Sequence, residues 1–185
     1  MENSVYYMSI GYPIGLCQNE EGDKFFNIED NGQFYGLYND GYMIWKHCFF
    51  DMKTKKDIID NLKISEFNVG IEISRLKNYG ILIEINSTNV NNLYELLKNL
   101  SPIKNGFGHG LSKDELSAIV LNQGQLFSLS LDDFCLWSLC NNRNKISYLV
   151  DWYSDKFKCS KDKAKYEIIN SIFVLKTMDL IRISH

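Results

Sequence analysis

The residues that could do chemistry in this chain are few and scattered. Five cysteines (Cys17, Cys48, Cys135, Cys140 and Cys159) and three histidines (His47, His109 and His185) are the available metal ligands and soft nucleophiles. No Cys-x-x-Cys pair occurs. Cys135 and Cys140 would stand on different parts of a helix, and the adjacent His47 and Cys48 point apart. They read as ordinary thiols packing like small hydrophobes, and no metal site is expected. There is no Gly-x-Ser-x-Gly, and no serine or cysteine has a suggestive His or Asp neighbour. Asp132-Asp133 and the Asp57/Asp60 pair could act as acid and base, but they read as helix caps or solvated carboxylates. Gly106-Phe107-Gly108-His109-Gly110 matches neither a dinucleotide nor a phosphate loop, and no Lys-Ser/Thr follows it. It reads as a loop between a linker and a second domain. His109, a conceivable general base or phosphate contact, then becomes a solvated loop residue. No catalytic residue and no cofactor is expected, and the chain reads as a binding protein.

A second kind of chemistry is suggested by a basic cluster. Lys156, Lys158, Lys161, Lys163 and Lys165, with Tyr166, gather at the start of a predicted helix, where they could contact the phosphates of double-stranded DNA. The corresponding stretch Ser65-Glu66-Phe67-Asn68 has no basic residue. A solvated lysine-rich face is the alternative reading. The net charge of −3 and pI of about 5.6 oppose a general nucleic-acid coat or a basic membrane binder.

The elements that must position these residues come in two copies. Gly32 to Trp45 aligns without a gap on Gly124 to Trp137, at an offset of 92 (137 − 45). Gly, Gln, Leu, Asp and Trp recur in both. Such a repeat implies two similar small domains, which suits 185 residues with 45% hydrophobic and 14% aromatic content.

Each copy opens with glycines, Gly11 to Leu16 and Gly106 to Leu111, whose role the sequence does not assign beyond tight turns or close backbone packing. A hairpin follows, 24–28 with 33–37 around Asp30-Asn31-Gly32, and 117–121 with 125–129 around Asn122-Gln123-Gly124. A short helix carries Tyr42, Ile44, Trp45 and Phe49, matched by Phe134, Leu136, Trp137 and Cys140. The two tryptophans are expected to anchor cores. A second helix spans 54–62 with Thr54 as N-cap, matched by 145–153; Ile58, Ile59 and Leu62 answer Leu149, Val150 and Tyr153. A third helix starts at Ser65 and at Ser160. Its buried stripes are Val69, Ile73 and Leu76, and Ile168, Ile172, Leu175 and Met178, with one extra turn in the second copy. Strands 81–85 and 180–183 close the units. Between the copies, 90–100 reads as an amphipathic helix with Leu93, Leu96, Leu97 and Leu100, ending at Pro102 and Gly106 and packing between the units. The expected domains are 1–100, including this linker helix, and 106–185.

The run from Leu37 to Trp45, and from Leu129 to Trp137, passes from a strand through a small turn into a helix bearing Trp. Two further helices follow. This order resembles the winged-helix-like peptide-recognition domains of ribosomal-peptide modification pathways, typified by the peptide chaperone of pyrroloquinoline quinone biosynthesis. The chain departs from that family in its tandem copies and its glycine-bearing segments. The resemblance implies an α+β fold of two winged-helix-like repeats (hairpin, three helices, closing strand). It also implies a peptide or protein partner bound by strand addition in a groove between the third helix and the sheet. Glu72, Arg75 and Tyr79 would face that groove in the first repeat, and Lys161, Lys165 and Asn170 in the second. A DNA-binding regulator using the second repeat is the rival expectation. The two repeats could also occupy each other's grooves.

The segment Met1 to Met8 lacks a basic region followed by an apolar run, and no apolar stretch approaches the roughly 18 residues of a membrane span. With an odd number of cysteines, the expected setting is a reducing cytoplasm, without membrane contact. The Asn, Lys, Ile and Tyr content suggests a bacterial or phage source. The sequence leaves monomer and homodimer open.

Overall fold

A computed structural model describes residues 4–113 and 115–185. The first three residues of the segment read for a signal sequence, and Asp114, lie outside the described residues. The fold is α+β and divides into two compact units, Met1–Thr88 with His185, and Asn89–Ser184. Among the described residues no helix is long and apolar enough to cross a membrane.

Unit 1 runs β1 (Tyr6–Ser9), β2 (Tyr12–Gln18), β3 (Lys24–Asp30), β4 (Gln33–Leu37), α1 (Asn39–His47), β5 (Lys53–Thr54), α2 (Lys55–Leu62), α3 (Glu66–Asn78) and β6 (Leu82–Ile85). Strands β2, β3 and β4 form one antiparallel sheet, and β5, β1 and β6 a second. The β3–β4 hairpin turns at Asn31 and Gly32, with φ of 49° and 80°. Both residues accept left-handed backbone, as a two-residue turn matched to strand twist requires. Thr54 and Asp57 cap α2 reciprocally, and the Ser65 side chain accepts the Asn68 N–H to cap α3. Ile44, Trp45, Ile58, Val69, Ile73 and Leu76 meet in one core. Trp45 is buried, and its Nε1–H donates to the Ile10 carbonyl at 3.1 Å. The Ile10 N–H in turn donates to the Ile81 carbonyl at 3.1 Å, joining the two ends of the unit.

Unit 2 runs α4 (Val90–Leu97), β7 (Ser101–Lys104), β8 (Phe107–Leu111), β9 (Ser117–Asn122), β10 (Gln125–Ser130), α5 (Leu131–Leu139), α6 (Ile146–Phe157), α7 (Lys161–Thr177) and β11 (Ile181–Ser184). Its sheets are β8-β9-β10 and β7-β11. The same devices recur. Gln123 and Gly124 turn the hairpin at φ of 47° and 78°. Ser130 caps α5 and Ser160 caps α7. The buried Trp137 donates Nε1–H to the Leu180 carbonyl at 2.9 Å. Helix α7 has 17 residues against 13 in α3, one extra turn.

Three expectations change. The glycine-bearing segments, unassigned at 11–16 and read as a loop at 106–110, supply strands: they form β2 and β8, the third strand of each larger sheet. Glycines depress strand propensity, which hid them. Their use is steric. A Cβ on Gly11 would stand 2.7 Å from the Glu29 carbonyl oxygen, and one on Gly106 2.6 Å from that of Leu121, and both have positive φ. Both strands also break register at equivalent places, Pro13/Gly15 and Gly108/Gly110. Second, each unit has an opening strand the sequence reading lacked. β1 and β7 are four residues long and pair with the closing strands β6 and β11. Pro102 therefore lies inside β7 rather than marking a helix end. Third, the division falls at Thr88/Asn89 instead of residues 101–106, because the helix expected to sit between the units clusters with unit 2. It packs on α7 with Leu93 and Leu97 buried and Leu96 exposed.

Glycine substitutions test this packing. Gly106→Ala is expected to destabilise unit 2 by more than about 1 kcal/mol, because both φ and the Leu121 carbonyl oppose a side chain. Gly70→Ala in α3 meets nothing within 4 Å and is expected to stabilise unit 1 by up to about 1 kcal/mol. Urea unfolding followed by tryptophan fluorescence and circular dichroism reads both.

Candidate functional site

Helix α3 presents two unlike faces. Val69, Ile73 and Leu76 enter the core, at the spacing that puts them on one side of a helix. Phe67, Gly70, Ile71, Ser74 and Asn78 form a second stripe facing away from it. Phe67 is 76% exposed and Ile71 50%. This stripe, with Lys55, Glu66, Arg75 and Tyr79, lines an open depression of about 730 Å³. Phe67 and Ile71, one helical turn apart, form the apolar part of its lining.

One border of the depression leads to a sheet edge. Tyr79, the C-cap of α3, lies with its ring 5.6 Å from that of Tyr35 on β4. β4 is an outer strand of its sheet. Asp30 and Gln33 close the hairpin as a pair, so Gln33, Tyr35 and Leu37 direct their backbone groups to β3. The N–H and C=O of Phe34 and Gly36 then point away from the ladder. Phe34 is 63% exposed. An edge with outward-pointing backbone groups is a template for strand addition.

The third feature is an ion pair. Arg75 Nη2 lies 2.6 Å from Glu72 Oε2 one turn apart on α3. The pair presses against α1, where a Cβ on Gly41 would meet Arg75 Nη2 at 2.5 Å and Glu72 Oε2 at 2.7 Å. Glycine at position 41 therefore makes room for the pair. Burial, reinforced by the charge of Asp40, raises the Glu72 pKa, and Arg75 opposes that shift. Arg75 Nε is buried without a hydrogen-bond partner. Of the three residues assigned to the groove in this unit, Arg75 and Tyr79 line the depression. Glu72 is turned toward α1, because its place on the helix lies between the core stripe and the α1 contact.

Unit 2 solves the same contact differently. Asp133 on α5 takes the place of Gly41, and Ser171 on α7 that of Glu72; the Ser171 hydroxyl donates to Asp133 Oδ1 at 2.8 Å. Val174 and Met178 stand where unit 1 has Arg75 and Tyr79. The lysines are largely engaged. Lys161 Nζ is 2.8 Å from Asp151, and Lys165 Nζ is 3.2 Å from Asp162 and 5.1 Å from the Tyr94 ring centre. Lys156 Nζ is 3.8 Å from Asp132 and sits over the Trp152 and Phe157 rings. Lys158 is the left-handed C-cap of α6, whereas Lys163, Tyr166 and Asn170 are exposed. The cluster read as a DNA contact is thus scattered over two helices, with three of its lysines facing carboxylates of the same unit.

The remaining candidates fall into structural places. Asp57 completes the cap of α2, while Asp132 and Asp133 lie in the first turn of α5, where Asp133 accepts from the Ser130 hydroxyl. Bonds from Thr54 hold the Asp57 pKa below its ordinary value. His109 is exposed on β8. All five cysteines are free thiols, and burial pushes the Cys140 thiol up to about 12. Among the described residues no group of three or more His, Cys, Asp or Glu side chains could hold a metal ion. No family model, no curated protein and no solved structure matches this chain.

The sequence reading passed over Phe67, Ile71, Tyr35 and the β4 edge. The signal was present for the helix: Phe67 and Ile71 are apolar yet out of phase with Val69, Ile73 and Leu76.

The buried pair makes a pH prediction. In Arg75→Met, Glu72 loses the cation that counteracts burial. A carboxyl whose folded pKa lies above its unfolded value contributes stability that is present below the unfolded pKa, about 4.3, and lost as pH rises through the folded value. The variant is therefore expected to be destabilised relative to wild type, by an amount that grows with pH above about 4.5. Adding Glu72→Gln should abolish that growth. Urea titrations at pH 4 to 8 check it.

Proposed function

We propose that the chain is a tandem of two winged-helix-like units that binds a peptide or protein partner without catalysing a reaction. The partner adds as an extended strand to β4 of unit 1, beside the C-terminal half of α3. The observation that carries this reading is the meeting of an outer strand with an exposed helix face at the Tyr35–Tyr79 contact. Phe34 and Gly36 would supply backbone hydrogen bonds, giving affinity independent of sequence. Ile71, Arg75 and Tyr79 would supply side-chain choice. The resemblance to peptide-recognition domains of ribosomal-peptide modification supports a role in presenting a peptide to another protein, in a cytoplasmic setting.

Phe34→Pro tests strand addition. The substitution removes an N–H that points away from β3, so the hairpin is expected to survive, as an unchanged melting curve and circular dichroism spectrum would show. Peptides enriched from a displayed library of linear sequences on the wild-type protein should lose at least about tenfold in affinity on the variant, the scale of one or two hydrogen bonds with an orphaned partner. Binders indifferent to Phe34→Pro, or no binders at all, would overturn the reading. Steeply salt-dependent binding to random duplex DNA, lost in a Lys161/Lys163/Lys165→Ala variant, would favour a DNA-binding regulator instead.

A further inference from the structure

A second depression is built entirely from unit 2. Its volume of about 880 Å³ falls within the roughly 300–1,000 Å³ of small-molecule sites. The segment Lys104 to Gly108, the hairpin turn 122–124 and helix α5 line it. The lining is rich in aromatic surface. The Phe134 and Trp137 rings lie 5.6 Å apart at 27°, and Phe107, 78% exposed, joins them. Two of the walls are tied down at one point. Asn105 Nδ2 and Asn122 Nδ2 donate to the Asp179 carbonyl at 2.9 and 2.8 Å, and Gln123 Nε2 donates to the Asp179 carboxylate at 3.0 Å. The strand segment and the hairpin turn are thereby held in place, and a site so fixed costs little ordering when it is filled.

The equivalent positions of unit 1 show which residues make the space. The N–H groups of Ser9 and Lys104 donate to the carbonyls of Cys48 and Cys140, and those of Ile10 and Asn105 to Ile81 and Leu180. Ser9 and Lys104 are thus counterparts, as are Ile10 and Asn105. Pro13 lies across from Ile28 as Gly108 lies across from Val120. Unit 1 therefore carries a proline ring where unit 2 has bare backbone, and a Cβ on Gly108 would already stand 3.4 Å from the Phe134 ring. Ser9 is buried with its hydroxyl on the Trp45 carbonyl, whereas Lys104 is exposed. The indoles differ too. Trp45 donates to the Ile10 carbonyl, but Trp137 donates to Leu180 and turns its far edge, at Cζ3, toward Gly108.

Charge selects the occupant. Lys104 is the one charged side chain of the lining, and its Nζ sits 5.5 Å from the Trp137 ring centre. Among the described residues no carboxylate lies within 4 Å of it. A single uncompensated cation beside aromatic rings complements a flat ring that carries a single negative charge. We infer that this depression binds a small aromatic carboxylate, with its ring against Phe107, Phe134 and the edge of Trp137 and its carboxylate at Lys104 Nζ. A doubly charged phosphate ester fits less well. It would meet only one cation, close to the C-terminal end of α5, whose Cys140 carbonyl accepts the Lys104 N–H. The site shares no residue with strand addition at β4.

The test titrates the full chain by calorimetry with benzoate, indole-3-carboxylate and naphthalene-2-carboxylate, each beside its neutral carboxamide. At least one acid should bind, and its carboxamide should bind at least about tenfold more weakly, the scale of a hydrogen bond to a charged group. Lys104→Met should erase that difference. Gly108→Pro copies unit 1, so the fold is expected to tolerate it while the acid loses its place; Phe107→Ser, at an exposed position, gives a second reading of the same loss. Phe34→Pro should leave the acid's affinity unchanged, which separates this site from strand addition. No binding of any acid by about 1 mM, equal binding of acid and carboxamide, or affinity that survives both Gly108→Pro and Phe107→Ser would overturn the inference. A tripeptide with a C-terminal phenylalanine that binds more tightly than all three acids, and is lost in Gly108→Pro, would overturn the assignment to a small molecule.

Discussion

In each unit one indole holds the two ends of the fold together. Trp45 donates to the Ile10 carbonyl just past β1, and Trp137 to the Leu180 carbonyl just before β11. A buried indole N–H without a partner would cost most of the benefit of burying the ring, so each tryptophan dictates where a strand terminus must lie. Around it the closing strand returns to the opening strand, and the three helices fill the span between. Ser9 adds to this in unit 1, its hydroxyl donating to the Trp45 carbonyl at 2.6 Å. Everything else, the free edge of β4 and the open face of α3 included, is positioned by that closure.

The two units share this frame and differ in what they do with the third helix. Unit 1 keeps a glycine on α1 so that Glu72 and Arg75 fit beneath it, and leaves the outer face of α3 bare. Unit 2 puts an aspartate at that position, bonds it to Ser171, and covers α7 with α4. The covered helix still exposes Tyr166 and Val174. The uncovered one exposes Phe67 and Ile71, which water does not favour.

Much of the local structure was legible in the residues. Asn31-Gly32 announced a hairpin because two consecutive positive φ values admit few residue types, and Thr54, Ser65 and Ser160 announced helix starts because a side-chain oxygen there satisfies an orphaned N–H. Trp45 and Trp137 could be placed in cores by size. The glycine-bearing strands β2 and β8 were not legible, since glycine weakens a strand pattern; the 2.6–2.7 Å approach to Leu121 and Glu29 explains only Gly106 and Gly11, the residues that lead into them. The strands β1 and β7 are too short to show a period.

What the sequence determined by itself was the two hairpins, the helices and the caps and turns that bound them, because each depends on contacts within a few residues. What only the tertiary structure decided was surface: which strand stayed outermost, which flank of α3 stayed open, that Glu72 turns to α1 while Tyr79 turns to β4, and that 90–97 lies on α7. A hydrophobic stripe states that a helix has a partner but not which one. That choice depends on distant segments competing for the same apolar area, a non-local property that no window of residues contains.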